Sequence, residues 1–363
     1  MTAVREPTPT APTSMEEIAQ IRAAVKALCA NFPGEYWRRL DRERLYPSEF
    51  VAALTKAGFL AALIPEEYGG SGLSMTAASA IMEEIQKSGC SGAPCHAQMY
   101  TMGTILRHGS SAQKARWLPA IAKGELRLQA FGVTEPTSGT DTLSLRTTAK
   151  EQVKRRTEGL SVLVVDMREA KGKGLTIRPI RTMMNHATTE VFIDDMKVPA
   201  ENLIGEEGQG FRYILDGMNA ERILISSECI GDARWFIDKA AAYARERMVF
   251  GRPIGQNQGI QFPIAQAYAA SEAAALMVER AARLFDLGEP CGKEANMAKL
   301  LAADAAWQAA DMCVQTHGGF GFAEEFDVER KFREARLYRV APISTNLILS
   351  YLAEHVLGLP RSY

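Results

Sequence analysis

Val133-Thr134-Glu135-Pro136-Thr137-Ser138-Gly139-Thr140-Asp141 follows directly on Arg127-Leu128-Gln129-Ala130-Phe131-Gly132. The six preceding residues alternate in polarity and predict a strand. Pro136, Gly139 and the small hydroxyl residues then force the chain into a tight turn. Such a turn presents backbone N–H groups and hydroxyls to one side, which suits a polar ring edge or an anion. A plain strand-to-loop junction has the same composition, so the turn takes its meaning from what surrounds it.

Upstream, the pattern is helical from Met15 to about Lys123. Ile18, Ile21, Ala24, Val25 and Leu28 form an i, i+3, i+4 stripe, and Pro47-Ser48-Glu49-Phe50 opens a helix that stops at Gly58. A loop, Pro65-Glu66-Glu67-Tyr68-Gly69-Gly70, precedes helical patterns at Met75 to Lys87, Ala97 to His108 and Ala112 to Ile121. From Glu125 to about Pro199 the period falls to two. Strands are predicted at Leu143 to Thr147, Leu160 to Val165, Leu175 to Arg178 and Glu190 to Ile193. After Gly210 the chain is helical again, at Phe211 to Met248, Ile260 to Leu287, Ala295 to His317 and Ile343 to Leu357. The many alanines there favour helix and permit close helix–helix approach. Segregated helical and strand segments predict an α+β fold.

The chain has 363 residues, 47% hydrophobic and 23% charged, enough for two or three domains of a soluble globular type. A net charge of −1 without a basic block gives no nucleic-acid or membrane surface. Nowhere are there about 18 uninterrupted apolar residues, so no membrane span is expected. The six cysteines, Cys29, Cys90, Cys95, Cys229, Cys291 and Cys313, are scattered in no zinc spacing and read as reduced thiols, which places the protein in the cytoplasm. No metal site is expected. Residues 1–14, rich in Thr, Pro and Ala, lack an apolar core and read as a loose tail instead of a signal peptide. His96, His108, His186, His317 and His355 lie in no triad or metal spacing and read as structural. The charge mixture of Phe322 to Arg336 reads as a solvated helix surface.

The turn resembles T-E-P-x-x-G-[ST]-D, the signature of the acyl-CoA dehydrogenase family. Glu246-Arg247-Met248-Val249-Phe250-Gly251-Arg252-Pro253-Ile254, with Gln258, resembles the family's E-R-x-x-F-G-x-x-[IL]…Q. Gln315-Thr316-His317-Gly318-Gly319-Phe320-Gly321-Phe322 resembles its Q-x-x-G-G-x-G-[YF]. A dinucleotide fingerprint follows a strand and opens a helix. The glycines of the third signature follow a helix, and Gly205-Glu206-Glu207-Gly208-Gln209-Gly210 reads as a linker on the same ground, so NAD is not expected.

The resemblance implies a domain order over nearly the whole chain. An N-terminal helical domain (15–124) is followed by a middle β-barrel-like domain (125–204) and a C-terminal four-helix bundle (205–363). It implies FAD as hydride acceptor, an acyl-CoA substrate in fatty acid metabolism, a homotetramer or homodimer, and an electron-transferring flavoprotein as electron partner. Phe131, Val133 and Thr134 are expected along the flavin, with Thr140 near cofactor and substrate. Arg247, Phe250, Gln258, Gln315 and Gly319 are expected at the cofactor, the last loop reaching the FAD of a neighbouring subunit. Ser344 and Asn346 match the hydroxyl and amide that touch flavin near the C-terminus. About three strands of roughly 5–6 residues each, one carrying a Trp that walls the flavin, are expected between Lys150 and Glu151 and are missing there. The segment is either deleted or left out with the numbering closed up.

Most of the family carries the α-proton base as a Glu in a Y-E-G-T-like segment, where this chain has Pro342 in Arg333 to Asn346. A minority branch carries it just before a substrate-binding Arg. Asn219-Ala220-Glu221-Arg222 matches that branch, so Glu221 is expected as base, with Arg222 and Asn219 positioning substrate and base. Glu228, two helical turns on, is the rival. Pro342 also lacks the N–H with which the family holds the thioester oxygen. A flavin monooxygenase or oxidase on the same fold, and a non-catalytic flavoprotein, therefore stay open beside the dehydrogenase.

Overall fold

The computed structural model describes residues 13–128, 131–136, 138–139, 144–148 and 159–361. Six helices come first. They are α1 (Met15–Cys29), α2 (Gly34–Glu43), α3 (Ser48–Lys56), α4 (Met75–Lys87), α5 (Ala93–His108) and α6 (Ser111–Lys123). Their ends follow local chemistry. Ser14 and Ser110 form capping boxes with Glu17 and Gln113, Ser74 caps α4, and Gly124 ends α6 at φ +76°. Helix α2 has no counterpart in the sequence reading. Pro33 and Gly34 look like breakers but serve as its N-cap and first residue, and only Trp37 and Leu40 are fully buried.

Among the described residues, the middle segment is thinner in strand than its alternation suggests. It holds β1 (Val162–Leu163), the short helix α7 (Met167–Ala170), β2 (Leu175–Pro179), β3 (Thr189–Ile193) and β4 (Leu203–Ile204). β1 pairs with β4 and β2 with β3, both antiparallel, so the described sheets here are two-stranded ribbons. The described parts of Arg127–Gly132 and Leu143–Thr147 lie in no strand, because alternation alone supplies no partner for the backbone. Lys150 and Glu151, the edges of the expected missing segment, lie outside the described residues. Hydrogen bonds tie this segment to the helices. Asn185 donates to the carbonyls of Leu40 and Leu45, Arg44 to those of Thr182 and Met184, and Arg333 to that of Met183.

The C-terminal half comprises α8 (Gly210–Glu246), the hairpin β5 (Met248–Val249) and β6 (Arg252–Pro253), α9 (Gln258–Asp286), α10 (Gly292–His317), α11 (Val328–Leu337) and α12 (Thr345–Tyr351), which ends in a π turn at Leu352–Val356. Helices α8, α9 and α10 pack together and α4 lies on α8. Buried alanines line α10 at 295, 298, 302, 305, 306, 309 and 310, which lets the axes approach. At Gly231 an added Cβ would stand 2.2 Å from the Glu83 carbonyl, so α8 and α4 touch backbone to backbone. The main core runs through α1, α4, α8, α9 and α10, and a smaller one lies under α5, α6 and β4.

Two expectations need correction. The charged stretch Phe322–Arg336 is solvated only in part, at Glu324, Glu325 and Arg336 among its charges. Lys331 is 0% exposed and Arg330 3%, because α11 buries its charges against Asp232, Gln86, Asp327 and Glu334. Gly205–Gly210 does follow a strand, β4, and opens α8, but the strand belongs to an antiparallel pair and not to a parallel βαβ unit.

Candidate active site

Helices α5 and α8 lie side by side, and the chain after α6 passes across them. Between them is a cleft with two adjoining compartments that share Thr101, Thr104, Phe131 and Ile214. The larger, an open space of ≈ 890 Å³, is walled by Phe131, Gly132 and Val133 on one side and Leu160 to Val165 on another. The smaller is lined by Tyr100, Thr101, Thr104, Phe131, Ile214, Gly217, Met218 and Glu221. Phe131 and Glu221 therefore face one space, although about ninety residues separate them in the chain. Gly217, one turn before Glu221 on α8, has no side chain to block it.

Glu221 is one of the residues that line this space. Burial raises its carboxyl above the ordinary carboxylate range, while a hydrogen bond from Tyr100 and the charges of His96 and Arg222 pull it back. Tyr100 in turn is held well above the usual phenol range, by burial first and then by Glu221. It therefore stays a donor. Arg222 is bonded to Asn219 Oδ1 at 3.2 Å, and its charge is disfavoured by burial and favoured by Glu221 and by Tyr351 of α12. The two lie beside the cleft and do not line it.

Glu228 occupies the same face of α8 but is fully buried and committed. It lies 2.8 Å from His96 Nδ1 and accepts from Tyr338 Oη at 2.7 Å and Gln86 Nε2 at 3.2 Å. These partners come from α4, α5 and the turn after α11, so no spacing rule on α8 could have revealed them.

The other expected residues fall into separate places. Thr134 is exposed, and Thr140 lies outside the described residues. Ser344 caps α12 by accepting from Leu347 N, and Asn346 is exposed beside it. Arg247, Phe250, Gln258, Gln315 and Gly319 are all exposed. Arg247 caps α8 and lies over the Phe320 ring at 5.8 Å, so the second and third sequence signatures adjoin. That cluster is 26 residues beyond Glu221, or about 39 Å along a straight helix. One chain does not bring both sets to a single cofactor.

Sequence reasoning passed over Tyr100 and His96 as site residues. Their four-residue spacing on one helix face was the available signal. Among the described residues no group of His, Cys, Asp or Glu could hold a metal, and no helix is long and apolar enough to cross a membrane. All six cysteines are buried.

The family models of the acyl-CoA dehydrogenase N-terminal domain and C-terminal domain match residues 15–125 and 208–357. Acyl-CoA dehydrogenase fadE12 of Mycobacterium bovis is 36% identical, with 96% of this chain and 98% of the relative covered. That alignment runs over 380 positions against 363 residues here, so the relative has residues with no counterpart in this chain. Among solved structures, glutaryl-coenzyme A dehydrogenase with glutaryl-CoA superposes with a TM-score of 0.88 at 28% identity, covering 97% of both chains. Butyryl-CoA dehydrogenase from Megasphaera elsdenii gives 0.88 at 25%, covering 95% of this chain and all of that one. The chain belongs to the acyl-CoA dehydrogenase family, whose members are FAD-dependent oxidoreductases. The cleft suits that cofactor, since an exposed Phe131 and apolar side chains line it together with the hydroxyl residues Thr101, Thr104 and Ser161.

Proposed function

We propose that this enzyme desaturates an acyl-CoA thioester between Cα and Cβ, with Glu221 taking the α proton. The observation that carries the reading is the Glu221 side chain lining the same cleft as Phe131. Bound FAD supplies the hydride acceptor at its N5. Glu221 is buried enough to be a stronger base than a surface carboxylate, and Tyr100 lines the cleft with it. Arg222 and Asn219 orient the substrate and the base from the flank of α8. Phe131, Val133 and Thr134 serve the flavin, as do Ser344 and Asn346, and Thr140 serves both cofactor and substrate.

Arg247, Phe250, Gln258, Gln315 and Gly319 serve the cofactor of a neighbouring copy, in a dimer or tetramer. Their distance from Glu221 supports this, as do the exposed apolar side chains Met248, Phe250, Phe320 and Phe322. The domains divide at about 124 and 204, electrons leave to an electron-transferring flavoprotein, and the enzyme works in fatty acid metabolism in the cytoplasm. The test is anaerobic titration of the FAD-loaded protein with straight-chain, branched and ω-carboxylated acyl-CoAs. Short acyl groups come first in that series, because two solved structures like this one are a butyryl-CoA and a glutaryl-coenzyme A dehydrogenase. Bleaching of the flavin by one class supports the reading, and bleaching by none contradicts it.

A second reading rests on Pro342, which brings no N–H to a position where the family resemblance calls for an oxyanion donor. It makes the protein an oxidase or monooxygenase in which the reduced enzyme meets O₂. Rapid reoxidation in a stopped-flow oxygen jump favours this second reading, and slow reoxidation with product bound favours the dehydrogenase.

A further inference from the structure

Behind Glu221 two helices carry titratable residues in matching rungs. On α8, Glu221 and Glu228 are seven residues apart, two turns along one face. On α5, His96 and Tyr100 are four apart, one turn along one face. Tyr100 lines the same small compartment as Glu221, and His96 Nδ1 lies 2.8 Å from Glu228 Oε1. The His96 and Tyr100 rings stack at 6.0 Å with 17° between their planes, so the two rungs touch. The proton abstraction proposed for Glu221 uses neither His96 nor Glu228.

Glu228 meets His96 Nδ1 through Oε1 and accepts from Tyr338 Oη and Gln86 Nε2 through Oε2. With Nδ1 facing a carboxyl oxygen, His96 directs its hydrogen toward Glu228. The second nitrogen is free to hold a proton as well, because the surrounding charge is negative. From α8, His96 faces Glu228 and Glu221, and from its own helix Tyr100. From the segment before β3, His186 is the other imidazole in range, and burial followed by the charge of His96 keeps it below the usual imidazole range. Beyond Glu228 stand Tyr338, Asp232 and the buried Lys331, and beside Glu221 stands Arg222.

We propose that His96 is a positioning residue for the α-proton base: paired with Glu228, it holds a positive charge behind Tyr100 that keeps Glu221 ionised inside the cleft. The proposal rests on Glu221 being the base. Burial disfavours the charged form of His96, but the charge and hydrogen bond of Glu228, with Glu221 beyond, outweigh it and raise His96 above the ordinary imidazole range. Burial pushes Glu221 the opposite way, toward the neutral acid, and the His96 charge counters that push. Without the imidazolium only Tyr100 and Arg222 oppose desolvation. Glu221 then takes up a proton at higher pH, and less of it is available as base near neutrality.

The test is an infrared difference titration of the Glu221 carboxyl in the FAD-loaded protein, with Glu221→Gln as the subtraction. His96→Gln is expected to raise the Glu221 midpoint by about one unit and to move the acid limb of the bleaching profile by the same amount. An unchanged midpoint in folded His96→Gln overturns the proposal, and His96→Asn serves if the first variant does not fold. A purely structural role would slow bleaching at every pH and leave the midpoint in place. In the unmodified protein, nitrogen NMR of His96 gives an independent reading. A doubly protonated ring at neutral pH agrees with the proposal, and a neutral ring overturns it. Normal bleaching by Glu221→Gln removes the base itself, whatever the infrared midpoint does, and overturns the positioning role by that separate route.

Discussion

Replacing Lys331 by Met isolates the buried charge that holds α11 to α8. Lys331 is 0% exposed and its ammonium contacts Asp232, also 0% exposed, together with Gln86 Oε1 at 2.6 Å and the Cys90 carbonyl at 3.2 Å. Methionine fills similar space but leaves all three acceptors without their donor. Removing one partner of a buried pair costs about 3–5 kcal/mol, because the other charge stays behind unpaired. Spread over 363 residues, a loss of about 4 kcal/mol lowers the melting point by about 5 °C.

The pH dependence sharpens this prediction. Burial lifts Asp232 from 3.8 to about 7, with Lys331 pulling it down. A group raised in the folded state contributes stability that is complete below its unfolded value and is lost as pH rises through the folded one. In the wild type that loss runs from about pH 4 to about pH 7. Without Lys331 the folded value climbs further, so the loss continues above pH 7. Urea or thermal unfolding at about pH 5.5 and about pH 8.5 should show a gap between wild type and Lys331→Met that widens at the higher pH. Adding Asp232→Asn should recover most of it. Equal midpoints at the higher pH, or a gap that narrows with pH, would refute the reasoning.

Two further outcomes are expected. Gly231→Ala puts a Cβ against backbone atoms of α4, 2.2 Å from the Glu83 carbonyl and 3.0 Å from Lys87 N. Overpacking of this kind costs about 1–3 kcal/mol, a fall of roughly 1–4 °C in a melting curve, and an unchanged or higher melting point would speak against direct α4–α8 contact. Phe250→Asp changes a side chain that is 99% exposed at the tip of the β5–β6 hairpin. It should leave the circular dichroism unchanged while size-exclusion chromatography shifts toward the monomer, and an intact oligomer would remove this hairpin from the interface.

Legibility in the sequence followed the range of the interactions. Helix α4 begins and ends where its apolar spacing and its Ser74 cap place it, because caps and periodicity are local. Helix α2 escaped because Pro33 and Gly34 read as an end when they form a beginning. Of the strand expected at Arg127–Gly132, the described residues Arg127, Leu128, Phe131 and Gly132 lie in none, for the opposite reason. Alternation is local, but a strand exists only with a partner at hydrogen-bonding distance. Lys331 and Glu228 are the clearest cases at the site. Each looks like a surface charge on its own helix, and each is buried by partners from 100 or more residues away. The family signatures put Phe131 and Glu221 in view as candidates, whereas Tyr100 and His96 became visible only when α5 was laid against α8.

The account depends most on one carboxylate. Glu221→Gln keeps the size and burial of the side chain and removes the base, so the protein should retain FAD in full. Mixed anaerobically in a stopped-flow instrument with the acyl-CoA that bleaches the wild type, it should lose nearly all of the rate of flavin reduction, about 10²-fold or more. Flavin reduction at the wild-type rate in a fully FAD-loaded variant would contradict the assignment of Glu221 as the base.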